Sequence, residues 1–214
     1  GTSSDTTQGY ISRTNTYNEV HSDAIDVGYM YGTSGSLESN RTNENSSSMK
    51  ELIDNWYKNN LASYDSKIAL ERFCADTTHP NFSSSDDLIY FGASLRMDSH
   101  SPLLKCSDTS ETYGGNYKLK IGLLTADEMS FAGLGDETNS STTNNYLYYS
   151  GYWYTMSLQF SNTNHGRLFL GYRGKITDYR GVTYSQAVRP VINLNSNVDI
   201  TGGDGTSSNP YTIG

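Results

Sequence analysis

The sequence predicts an α+β domain, with helices early in the chain, an antiparallel meander late, and long irregular loops. Three observations carry that reading. "SSSMKELIDNWYKNNLASY" places Met49, Leu52, Ile53, Trp56, Tyr57 and Leu61 at helical spacing. "TADE", from Thr125 to Glu128, is a T-x-x-E capping box that opens a second helix. From Tyr146 onward the apolar pattern changes to a period of two, the mark of strands.

Taken in order, residues 1–45 are polar except for "VGYMYG", Val27–Gly32, which reads as a strand between loops. Ser46 to Ser48 supply N-cap oxygens for the first helix, and Lys50, Glu51, Asp54, Asn55 and Lys58 form its polar face. Residues 65–118 show little periodicity, and "LIYFGASLRM", Leu88–Met97, reads as a strand within them. "KIGLLTADEMSFAGLG" gives a short strand and then the second helix, stopped by Gly133 and Gly135. "YWYTMSLQF" puts Tyr152, Tyr154, Met156, Leu158 and Phe160 on one face, with Trp153, Thr155, Ser157 and Gln159 on the other. "GRLFLGYRG" alternates likewise, and "AVRPVINL" closes the series. No repeat and no Pro-rich or Gly/Ser-repeat linker divides residues 1–214, so the expectation is one domain with 198–214 as a terminal β-hairpin.

The chain is poor in aliphatic residues but holds 18 tyrosines, and only 18% of it is charged. Ser, Thr, Asn and Gly therefore cover the surface, as in β-rich extracellular proteins. A net charge of −8 argues against nucleic acid, which attracts arrays of Lys and Arg. No run approaches the ~20 apolar residues of a membrane span. The opening "GTSSDTTQGY" carries no signal peptide and reads as a mature or trimmed start, with any signal or anchor outside this chain. Cys74 and Cys106 sit in neither a C-x-x-C nor a zinc pattern, and this surface composition favours a disulfide over two buried thiols.

Catalytic patterns are missing. His21, His79, His100 and His165 lie in polar stretches without metal-ligand spacing, and no G-x-S-x-G elbow occurs. Asp127 and Glu128 fall in a helix's first turn, where acids usually cap. No metal or cofactor is expected. Tyr, Trp, Ser, Gly and Asn are what paratopes use for contact area at low entropy cost, and Asn144–Ser185 is dense in them. The candidate ligand-binding residues are Tyr148, Trp153, Asn162, His165, Arg173, Tyr179 and Arg180, on turns or on the face away from the core. Arg189, within an apolar run, must find partners or reach the surface, so a structural hydrogen-bond hub is expected there. "TGGDGTSSNPY" lacks the lysine of a phosphate loop and the carboxylates of a calcium loop, which leaves a turn.

The ordered motifs "IDNWYKNNL", "FCAD", "LLKC", "IGLLTADEMSFAG", "YWYTMS" and "AVRPVINLNSNVDITGGDGTSSNPY" resemble a family of uncharacterised surface-type domains from gut-associated Firmicutes and related bacteria. The resemblance covers about residues 27–214 and is strongest in the final quarter. It implies membership of the C-type lectin-like superfamily, beside the formylglycine-generating enzymes: two helices flanking a twisted antiparallel sheet with long loops, "AVRPVINL" standing as the signature strand. Ala75 and Thr77 replace the asparagine and arginine that the family carries around the aspartate of "FCAD". Tyr154 replaces a Trp, and Leu158 stands where a proline is frequent. No cysteine follows Cys106, so the oxidase chemistry of the formylglycine-generating enzymes has no nucleophile here. The E-P-N, Q-P-D and W-N-D strings of calcium-dependent sugar sites are also missing. The expected role is a non-catalytic, secreted or cell-surface recognition module for a glycan or a host or neighbour-cell protein. The alternative is a structural, self-assembling subunit of a bacterial surface fibre.

Overall fold

A computed structural model describes residues 10–12, 14–19, 27–32, 43–78, 88–106, 118–135, 145–162, 165–177, 180–206 and 208–214. Along them the chain forms β1 (Met30–Tyr31), β2 (Asn45–Ser46), α1 (Ser48–Asn60), a 3-10 turn (Ala62–Lys67), β3 (Glu71–Arg72), β4 (Leu88–Tyr90) and α2 (Gly92–Asp98). There follow β5 (Lys118–Leu119), α3 (Ala126–Phe131), β6 (Tyr152–Asn162), β7 (Gly166–Tyr172), β8 (Lys175–Thr177), β9 (Ile200–Gly202) and β10 (Thr212–Ile213). The molecule is thus α+β, and every pair of strands in its sheets is antiparallel.

The organising element is a four-stranded sheet in the order β4-β6-β7-β8. Its strands alternate as the sequence pattern requires, but both of its faces are buried. Tyr154, Met156, Leu158, Leu168 and Leu170 enter one core with Met49 and Ile53 of α1. Trp153, Phe169 and Ile176 enter a second core with Ala93 of α2 and Ala126 and Met129 of α3. The non-core face expected for β6 is therefore a second core. The buried hydroxyls of Thr155 and Ser157 on that face are paired. The register of β6 against β7 shifts between Tyr154 and Leu158. There Thr155 Oγ1 donates to the Phe169 carbonyl (2.6 Å) and Met156 N–H to Leu124 O (2.8 Å). Ser157 Oγ accepts from Ala126 N–H at 2.9 Å, which ties the start of α3 to the sheet.

The two expected helices form with the expected caps. Ser47 Oγ accepts from Lys50 N–H at 3.0 Å. In the box of α3, Glu128 N–H donates to Thr125 Oγ1 and Thr125 N–H to Glu128 Oε2. A third helix lies where a strand over Leu88–Met97 was expected. Leu88–Tyr90 do pair with β6, but the chain turns at Phe91 and continues as α2. Alternation lasts only to Phe91; burial of Ala93 and Ser94 and the ion pairs of Arg96 then favour a helix. "AVRPVINL" also differs from expectation. Ala187, Val188, Val191 and Leu194 make single bridges to Trp153, Ser12, Gly122 and Ile68, four separate parts of the chain. Pro190, without an N–H, suits a seam better than a ladder.

Cys74 and Cys106 form a disulfide, with Cα atoms 5.4 Å apart. It staples the irregular middle of the chain. Beyond it, β9 and β10 pair as a hairpin whose Ile200, Tyr211 and Ile213 are exposed. Gly203 sits at φ +83° with the Pro210 carbonyl against the place of a Cβ, so only glycine fits this turn.

Candidate functional site

β7 and β8 are joined by Arg173 and Gly174, with φ +50° and +74°. Positive φ at both central residues makes a I′-type hairpin turn, which matches strand twist. For an arginine that backbone costs on the order of 1 kcal/mol. The turn is held from outside as well, since Arg173 N–H donates to Tyr149 O at 2.8 Å.

Register then brings two tyrosines together. Tyr152 and Tyr172 are direct cross-strand partners, and Lys175 continues the row on β8. The two rings stack 4.1 Å apart and within 10° of parallel. The Arg173 guanidinium lies over Tyr172 and that of Arg180 over Tyr152, each 5.1 Å from the ring centroid. A 4.1 Å ring spacing leaves no room between the rings, so each arginine covers an outer face. The result is an Arg–Tyr–Tyr–Arg stack at one end of the sheet.

Arg180 also lies over Tyr184, 5.6 Å from its centroid. Both belong to a crossover that passes over the first core, where the Tyr154 hydroxyl donates to the Tyr184 carbonyl. Burial pushes the Tyr154 phenol well above its ordinary pKa, so it remains a proton donor holding the crossover. Tyr184 itself is 56% exposed. Cation–π and aromatic contacts of this kind fix side chains before any ligand arrives.

The structure divides the candidate residues. Arg173 and Arg180 meet in the stack, and half-buried Tyr148 lies in the loop that anchors the Arg173 turn. Asn162 and His165 exchange hydrogen bonds at the far end of the β6–β7 hairpin. At ~3.3 Å per residue that end lies roughly 25 Å from Arg173. Trp153 must be corrected: it is 1% exposed, in the second core, with its indole filling the space beside Gly171. A ligand cannot reach it, because α2 and α3 cover that face. Tyr179 lies outside the described residues. Arg189 donates to Leu147 O at 2.7 Å and lies 4.8 Å over the Trp153 ring. Burial lowers its pKa from the usual arginine value. Tyr152 and Tyr172 were absent from the candidates, since period-two reading assigns their faces to the core. Their pairing follows from the register of β6 against β7, which shifts twice between the β6–β7 turn and Tyr152.

A second polar cluster lies beneath the disulfide. Arg96 donates from Nε and Nη2 to both oxygens of Asp127 (2.8 and 2.9 Å), and from Nη1 to Asp76 (2.8 Å). Asp127 also accepts from Leu103 N–H, and Asp76 from Thr78. Burial alone would lower the Arg96 pKa, but the two carboxylates outweigh it and raise it. The adjoining cavity, about 60 Å³, is lined by Cys74, Cys106, Arg96 and Asp127 among others. That is room for a few waters, against the ~300 Å³ or more of a ligand pocket. Asp127, expected only as a helix-capping acid, is thus also the hub of a buried ion network.

Comparison of the chain with protein-family models, curated proteins and solved structures gave no match. Among the described residues no group of three or more His, Cys, Asp or Glu could hold a metal ion, and no helix is long and apolar enough to cross a membrane.

Proposed function

We propose that the chain is a non-catalytic recognition module of C-type lectin-like kind, secreted or displayed at a cell surface, that binds a glycan or protein ligand. The observation that carries this reading is the Arg173–Tyr172–Tyr152–Arg180 stack with exposed Tyr184 beside it. Tyrosine and arginine are the residues that supply binding energy at interfaces, most of all when their rotamers are already fixed. The buried acids favour binding over catalysis, because Asp76 and Asp127 are committed to Arg96 and not poised as bases. A disulfide fits an oxidising compartment. Glycan and surface-protein arrays probed with the folded domain test the reading: specific binding supports it, and silence across both overturns it.

The exposed β9–β10 hairpin favours a second reading, a self-assembling subunit of a surface fibre. A two-stranded hairpin is marginal alone, and its edges are templates for another strand. Analytical ultracentrifugation at high concentration would show concentration-dependent association under that reading, and a monomer throughout would exclude it.

A further inference from the structure

The Cys74–Cys106 disulfide joins a fixed piece of chain to a lightly held one. Cys74 lies between Phe73 and Ala75, both buried in the first core. Cys106 ends a strap, residues 101–106, that leaves α2 through Ser99 and His100. The start of the strap is tied down, since Ser101 N–H donates to Arg96 O at 2.9 Å. Among the described residues, 102–106 then carry one hydrogen bond, from Leu103 N–H to Asp127 Oδ1 at 2.9 Å. Leu103 and Leu104 are 43% and 64% exposed, and no strap residue belongs to either core. Leu103, Leu104 and both cysteines line the cavity that also borders Arg96 and Asp127.

We propose that this disulfide is a thiol-exchange site: a low-molecular-weight thiol reduces it in the folded protein, and the strap then lifts from Asp127. The thiolate attacks Sγ of Cys106, because Leu104 and Lys105 beside it are exposed whereas Phe73 and Ala75 beside Cys74 are buried. Attack forms a mixed disulfide on Cys106 and expels Cys74 as a thiolate, which takes up a proton. A second small thiolate attacks the small thiol's sulfur in that mixed disulfide, and Cys106 leaves and is protonated in turn. Two electrons have then passed to the protein, and two small thiols depart as one disulfide. What remains to hold the strap beyond Ser101 is the Leu103 hydrogen bond and the partial burial of its side chain, while the open strap gains the conformational freedom that the closed loop denied it. The opening is local, because α1, α2, α3 and the sheet are held by two cores to which the strap does not contribute.

The test exposes the oxidised, folded chain to excess reduced glutathione in buffer free of denaturant. Thiol alkylation with mass spectrometry follows the sulfurs, and pulsed hydrogen exchange follows the backbone. The expected result is that glutathione appears first on Cys106 and that both thiols are then freed. The Leu103 amide should lose about tenfold or more of its protection, as loss of one hydrogen bond to a carboxylate would give. Amides of β6 and β7 should stay protected throughout. The Cys74→Ser, Cys106→Ser double variant should show the same open strap without reductant, and reduction of the unsubstituted chain decides the matter should that variant fail to fold. A disulfide that glutathione reaches only in denaturant overturns the exchange site. Glutathione carried on Cys74 overturns the strap as the side attacked. Reduction that strips β6 and β7 of protection together with Leu103 shows a staple of the whole fold and overturns the local strap, as does reduction that leaves Leu103 protected.

Discussion

Arg96 joins four separate pieces of chain through its own bonds and those of its acids: α2, α3, the segment after Cys74, and the backbone at Leu103. Deleting one partner of such a network strands a buried charge, so Asp127→Ala should cost about 3 kcal/mol in denaturant unfolding. Arg96→Lys should recover little of a comparable loss, because one ammonium cannot reproduce the fork. Gly171→Ala probes the second core, where a methyl would press into the Trp153 indole. Overpacking there should destabilise by roughly 1–3 kcal/mol. Buried phenols set an alkaline limit. Desolvation, helped by a hydrogen bond to Asp65, raises Tyr57 to about 12, and burial raises Tyr17 and Tyr154 as well. Below pH 10 both states keep these protons, and stability is unaffected. Above it the unfolded chain releases protons that the fold retains, so stability falls from about pH 10 to pH 12. A phenolate absorbance titration should show these three ionising only with unfolding. Simple titration of every tyrosine near pH 10 in a folded sample would contradict that burial.

At the scale of elements, the disulfide closes a span of 32 residues. Its reduction should cost roughly 3–4 kcal/mol on the loop-entropy account, seen as a lower Tm in reductant and in the Cys74→Ser, Cys106→Ser double variant. An unchanged Tm would show that the staple is idle. How far such elements could be read in the sequence depended on how local their causes are. The N-cap of α1, the capping box of α3, the amphipathic face of α1 and the alternation of β6 and β7 depend on neighbours a few residues away, and each was legible. The third helix was not, because α2 is fixed by Asp76 and Asp127, which lie 20 and 31 residues from Arg96. The crossover and the seam through Pro190 were missed for the same reason, their partners being distant in sequence.

For the whole molecule, the decisive fact is a sheet buried on both faces. That burial removes Trp153 from the surface, so the proposed recognition falls to the sheet's ends and to the crossover. Part of the candidate site was legible as composition, since the Tyr- and Arg-rich segment does hold the stack. Its partition into two ends roughly 25 Å apart depends on strand register, which shifts twice along β6 in ways that alternation cannot show. Binding at the stack end makes a spatial prediction about any ligand that the arrays return. The most direct measurement is NMR mapping of that ligand on the isotopically labelled domain. The account predicts shifts concentrated at Tyr152, Tyr172, Arg173, Arg180 and Tyr184, with Asn162, His165 and the β9–β10 hairpin unmoved. Shifts gathered at the hairpin, or at Asn162 and His165, with the stack silent, would contradict it.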